Sequence, residues 1–284
     1  MKKPISSVWT YSILVLAATV LLNFTHQPIL VALGQATPLL TACLILVFLH
    51  KKRWSTLKSI GLFRFGSVKW HIYGVLAGLP VMLSFLAAWI LGYVELPSIK
   101  EFPDWMNSQG DRFLLLVKHY FSLHTLTMLF LFSFAEEFGW RGFLHTHLHE
   151  VASVKKTLLI TGAIWILFHY PFYMNDYSSN GHTAVNMLLF TLTLIPLSII
   201  MGWIRLKSQS LWPVVIFHMS INFHRGFWEQ VFYTKASHWE TIAGESGVIS
   251  LIVWALIAAP IWRSLDRSEH FKHENHKSTY NGSP

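Results

Sequence analysis

A chain of 284 residues that is 53% hydrophobic and only 13% charged has the composition of a protein solvated by a bilayer, which excludes an ordinary soluble enzyme. The formal net charge is +8, but the cations fall in short runs between apolar stretches, so the charge reads as topology and not as a nucleic-acid surface. Cys43 is the sole cysteine, which leaves no disulfide framework and no cysteine-based zinc site within the chain.

A helix crosses roughly 30 Å of hydrocarbon in about 17–25 residues, because it rises about 1.5 Å per residue. Eight apolar windows are candidates, the fifth and seventh being short with soft boundaries: 8–24, 28–49, 71–94, 123–144, 157–173, 183–204, 211–225 and 247–262. The first follows Met1-Lys-Lys as a signal peptide would. No small-residue cleavage pattern comes after it, so it is expected to stay as a helix. The fold class expected is all-α, a polytopic membrane helical bundle of about eight transmembrane helices. Residues 1–267 form one transmembrane domain, with the motif core at about 123–223. Residues 268–284 form a polar cytoplasmic tail without fixed structure that carries His270, His273 and His276.

The cations give the orientation. Lys2 and Lys3, the run from Lys51 to Lys69, Lys155 and Lys156, Arg205 and Lys207, and Arg263 onward all fall on alternate sides of successive windows. Cytoplasmic loops carry the excess of Lys and Arg, so both termini are expected in the cytoplasm. The opposite loop after window three holds Glu95, Glu101, Asp104 and Asp111. An integral protein of a bacterial cytoplasmic membrane is expected, with the lipid bilayer and a peptide or protein substrate as partners and no nucleic acid.

Window four contains Phe132-Ser-Phe-Ala-Glu-Glu-Phe-Gly-Trp-Arg-Gly-Phe-Leu144. A charged side chain at the centre of a membrane helix costs roughly 2.5–3.5 kcal/mol, so this cluster needs a reason. Helical neighbours point about 100° apart and residues four apart nearly align. Glu137 therefore faces Arg141 as an ion pair, while Glu136 points elsewhere with no partner expected in its own helix. Window five places Trp165 four residues before His169, and window seven places His218 four before Asn222. Counted from the expected cytoplasmic ends, Glu136, His169 and His218 lie at a common depth of about 12–18 Å. One pocket, open to the cytoplasm, is expected.

These side chains supply a carboxylate to take a proton from water, an imidazole to orient that water, and a His/Asn pair to donate to an oxyanion, as a peptide hydrolase requires. The residues alone equally allow Glu136, His169 and His218 to bind Zn²⁺ and its water. An ion-coupled transporter could use the same buried charges, although the broken helices or half-repeats that such carriers carry are not evident in the sequence. A bis-histidine haem protein would leave Glu136 without a role. His145, His147 and His149 form no zinc-protease motif.

Glu136-Glu-Phe-Gly-Trp-Arg141, the aromatic-x-x-x-His ending at His169, and His218-x-x-x-Asn222 resemble, in order and spacing, the three motifs of the CAAX protease and bacteriocin-processing (CPBP, also Abi) family of intramembrane proteases. That family includes the Rce1-like prenyl-protein endopeptidases. The Gly139-Trp140 pair is more similar to its bacterial branch. The resemblance implies Glu136 as general base with His169, His218 and Asn222 as oxyanion donors, and Glu137 and Arg141 as structural partners. It also implies an eight-helix plan. Trp165 departs from the usual phenylalanine of the second motif, and a larger aromatic there is expected to narrow the cleft. No cofactor is favoured, since an asparagine paired with His218 suits hydrogen bonding better than ligation. Non-catalytic immunity proteins of the same fold are the alternative within the family.

Overall fold

The structure, a computed structural model, describes residues 3–48, 53–98, 108–174, 183–232 and 239–280. In chain order the helices are α1 (Lys3–Asn23), α2 (Pro28–Gly34), α3 (Thr37–Phe48), α4 (Arg53–Ser59), α5 (Val68–Leu76), α6 (Leu79–Ile90) and α7 (Gln109–Tyr120). They continue with α8 (Leu123–Glu137), a π-helical segment (Phe138–Leu144), α9 (His145–His149), α10 (Val154–Phe172), α11 (Thr183–Ser208), α12 (Trp212–Val231), α13 (Trp239–Ile242) and α14 (Val248–Tyr280). The chain is all-α and multi-pass. The expected tail at 268–284 falls on residues whose side chains lie outside the described set, and its last four residues lie outside it altogether.

Helix boundaries follow local chemistry. Ser122 accepts from the Thr125 amide to start α8, and Ser153 accepts from the Lys156 amide to start α10. Pro28 and Pro213 open α2 and α12, at positions where a missing N–H leaves no helical bond unmade.

Four helices are long and apolar enough to cross a membrane, and the number rises to six if each bent pair counts as one span. The sequence led us to expect about eight. The two unmatched windows correspond to α10 and α12, which carry His169, His218 and Asn222, and the polar groups that make them interesting lower their hydropathy. Breaks also interrupt the expected spans. The α2–α3 pair bends by 61° and the pair formed by Gln109–Tyr120 and Leu123–His149 by 53°. Between α5 and α6 the chain loosens at Gly78, whose amide donates to Ser220 Oγ at 3.0 Å. The Ser220 hydroxyl in turn donates to the Val75 carbonyl at 2.7 Å, so α12 satisfies backbone groups the break frees.

The expected alternation of loops is visible in what touches what. Arg205 donates to the Ser59 carbonyl at 2.7 Å, Trp212 Nε1 donates to the Leu62 carbonyl at 2.9 Å, and the Lys155 ammonium lies 4.3 Å over the Trp262 ring. The basic connections after windows two, four, six and eight thus share one end of the bundle. At the other end, Arg112 donates to the Val231 carbonyl, Asn186 donates to Glu240, and Arg225 pairs with Glu245. Between the two ends, α8, α10, α11 and α12 enclose the polar centre.

Candidate active site

Glu136 and Glu137 close α8, where the chain passes into the π-helical segment. Such segments widen a helix by one residue per turn and recur at functional sites. Gly139 and Gly142 permit this one to sit close to its neighbours. A methyl group at Gly139 would lie 2.3 Å from Tyr11 Oη and 2.4 Å from Pro38 Cβ, and one at Gly142 would lie 2.8 Å from Ile60 Cγ2.

Glu137 is fully buried and held by two partners. Arg141 Nη1 donates to its Oε1 at 2.8 Å, the i,i+4 pair expected from spacing. His218 Nδ1 donates to the same oxygen at 2.9 Å from α12. The Arg141 guanidinium also stacks over Trp165, 4.1 Å from the ring centroid. Removing one member of such a buried set leaves an uncompensated charge, which is why the three are mutually dependent.

Glu136 is held by neutral donors. Trp165 Nε1 donates to its Oε2 at 2.9 Å and Trp140 Nε1 donates to the same oxygen at 3.3 Å. The sequence reading gave Glu136 no partner in its own helix; Trp140, four residues on, corrects this. The signal is present in the i,i+4 spacing of Glu136 and Trp140. Trp165 likewise does more than narrow a cleft, because its N–H is a bond that phenylalanine cannot make. The carboxylate keeps its remaining capacity for the cavity it lines.

His169 Nδ1 donates to the Trp165 carbonyl at 2.8 Å, which turns Nε2 toward Glu136 at 4.0 Å from its Oε2. That gap is too long for a direct bond and suits a bridging water. Asn222 lies one turn beyond His218 on α12 and lines the same cavity. His218 and Asn222 were expected on one face as donors to an oxyanion, and both line the cavity. The His218 ring is oriented by Glu137, which leaves the Asn222 amide to the cavity.

The cavity has a volume of about 400 Å³. Glu136, Trp165, His169, His218 and Met201 form its inner part, and Arg225, Glu229 and Glu245 lie farther along it. Leu129 and Phe132 of α8 and Gln35, at the α2–α3 break, form its flank. Phe132 is an exposed apolar residue, so this flank reaches the lipid-facing surface. At the basic end Trp140, Arg141, Phe143 and Leu144 are completely buried and close the site off. The lining residues Arg225, Glu229 and Glu245 extend the cavity toward the end away from the basic loops.

The zinc alternative can be tested on the donors. Among the described residues no group of three or more His, Cys, Asp or Glu side chains is gathered so as to hold an ion. Both histidines donate Nδ1–H to protein acceptors, His218 to Glu137 and His169 to a carbonyl, which orients the rings equally for a metal or a hydrogen-bonding role, so the test rests on the absence of a gathered donor set among the described residues. Glu136, His169 and His218 do not fit a metal as they stand.

Residues 118–224 match the model of the family described as type II CAAX prenyl endopeptidase Rce1-like. A protein of Methanococcus maripaludis named CAAX prenyl protease 2 is 32% identical over 145 residues, which is 48% of this chain and 51% of that protein. The chain spans about half the length of the curated relative it matches.

Proposed function

We propose that the chain is an intramembrane endopeptidase acting on a membrane-associated peptide, a reading supported by the match of residues 118–224 to the Rce1-like family model and by the similarity to a CAAX prenyl protease. The observation that carries this reading is the pairing of Glu136 with His169 Nε2 at 4.0 Å on the wall of one cavity. A carboxylate oxygen and a neutral imidazole nitrogen are both acceptors. A water between them donates one proton to each and keeps a lone pair for attack.

In the reaction proposed, the water oxygen adds to the scissile carbonyl carbon while Glu136 takes a proton. The carbonyl oxygen becomes an oxyanion that accepts from the Asn222 amide. It accepts also from His218 Nε2 when that ring carries both protons, a charge for which Glu137 is the counter-ion. Collapse breaks the C–N bond, and Glu136 returns its proton to the leaving amine. No metal takes part. The buried charges of Glu136, Glu137, Arg141 and protonated His218 sum to zero, which lowers the cost of holding them in an apolar bundle.

The lipid-facing flank at Phe132 and Gln35 supports a substrate that arrives within the bilayer. A prenylated C-terminal segment and a lipid-anchored leader peptide both have that chemistry. The carrier reading gains one observation, since the bent pairs at 61° and 53° are broken spans. A carrier could use the Glu136–His169 pair as a proton site, but the match to a protease family model and to a protein named as a protease favours proteolysis. Mass-spectrometric mapping of new peptide termini in membranes carrying the wild-type chain or Glu136→Gln tests it. Termini present only with the wild type are expected; identical sets would contradict it.

A further inference from the structure

The outer part of the cavity carries charge that the hydrolysis above does not use. His218, Asn222, Arg225 and Glu229 follow one another at i, i+4, i+7 and i+11, so they form a single stripe along α12 from the reacting centre to the mouth. Arg225 Nη1 pairs with Glu245 Oε1 at 3.3 Å. Around this one guanidinium stand three carboxylates, Glu229, Glu240 and Glu245. Glu240 accepts from Asn186 at 2.7 Å. These four side chains together line an adjoining cavity of about 160 Å³. Glu229 and Glu245 belong to both cavities. With all three carboxylates ionised, the group has an excess of two negative charges.

A second feature points to a ligand from the opposite wall. Thr193 on α11 is 1% exposed, lines the main cavity, and its hydroxyl has no hydrogen-bond partner among the described residues. A buried hydroxyl without a partner costs about 1–3 kcal/mol, a cost that a polar group entering the cavity removes. Peptide backbone supplies such a group.

We propose that the cavity mouth is a binding subsite for a basic side chain of the peptide substrate, with Glu229 as the specificity-determining carboxylate and Thr193 as a donor to the peptide backbone. The proposal rests on the endopeptidase reading for its direction. Asn222 and Glu229 are about 10 Å apart along the helix axis, which an extended peptide at about 3.3 Å per residue covers in about three residues. The preferred substrate therefore carries Lys or Arg about three residues from the bond that is cut, with apolar residues between. A substrate with an acidic residue at that position meets two carboxylates and is disfavoured.

The test separates binding from cleavage. The full chain with Glu136→Gln, in lipid nanodiscs, is titrated with three fluorescent apolar peptides that differ only in carrying Lys, Gln or Glu at one position. The Lys peptide is expected to bind roughly tenfold more tightly than the Gln peptide, with the Glu peptide weakest. Adding Glu229→Gln should bring the Lys and Gln peptides together, and Glu229→Lys should favour the Glu peptide. Thr193→Val should weaken all three alike. Equal affinity for the three peptides, or a ranking unchanged by both Glu229 variants, overturns the proposal. If the ranking holds but the wild-type chain cuts none of the three, the subsite stands and the endopeptidase reading falls.

Discussion

Two adjacent carboxylates in one helix occupy opposite electrostatic situations. Glu137 is fully buried between a guanidinium and an imidazole, whereas Glu136 accepts from two indole N–H groups, stands 4.0 Å from His169 Nε2 and faces a cavity. Cationic partners spread and neutralise the charge of Glu137. Neutral donors fix the position of Glu136 on the cavity wall. A membrane protein can therefore bury two negative charges side by side and give one to architecture and the other to reaction.

The largest effect expected is on the Glu136 side. Glu136→Gln keeps the shape and loses the base, and the cleavage rate should fall by about 10⁴, the upper range for a general base. On the other side, Glu137→Ala should lower unfolding free energy by about 3–5 kcal/mol, because Arg141 remains buried without its counter-charge. A thermal melt in detergent reads this loss directly. If Glu137→Ala melted like the wild type, the division of labour between the two residues would be wrong.

Smaller effects sharpen the same contrast. Asn222→Ala should reduce the cleavage rate by about 10²–10³ with little change in melting temperature, as for the loss of one oxyanion donor. Trp165→Phe removes a hydrogen bond to a carboxylate worth about 1.5–3 kcal/mol, so a roughly tenfold or greater rate loss is expected with the fold intact. An unchanged rate would show that Glu136 needs no anchor from α10. Exhaustive chelation, with elemental analysis to prove the chain metal-free, should leave the rate unchanged. Loss of activity restored by zinc would replace the metal-free scheme.

Much of the site was legible because helical spacing is rigid. The Glu137–Arg141 pair follows from four-residue separation, and the three motifs announced themselves by lying in otherwise apolar helices. What escaped depends on contacts between helices. Glu137 and His218 are separated by 81 positions in the chain, and no periodicity reports that they meet. Trp140 and Trp165 escaped for another reason, since an indole in a membrane helix is usually packing and its N–H is easily overlooked.

The bundle itself was legible in outline and less so in detail. Hydropathy found the four spans and two bent pairs but also two windows the structure does not count as spans, and alternating charge sorted the loops into groups whose members meet at opposite ends. It did not reveal the breaks at α2–α3 and α5–α6, where Ser220 and other side chains replace lost helical bonds. Nor did it reveal how tightly the residues after Glu137 are packed. That depends on how Trp140, Phe143 and Leu144 pack across the π-helical segment, a local geometry that a regular helical wheel misplaces.

The contrast between the two glutamates is tested most directly by measuring cleavage rate and melting temperature together for Glu136→Gln and Glu137→Gln, using a peptide that the wild-type chain cuts. The expected pattern crosses: Glu136→Gln melts with the wild type and does not cleave, while Glu137→Gln melts at a lower temperature. Wild-type cleavage by Glu136→Gln would contradict the assignment of Glu136 as the base.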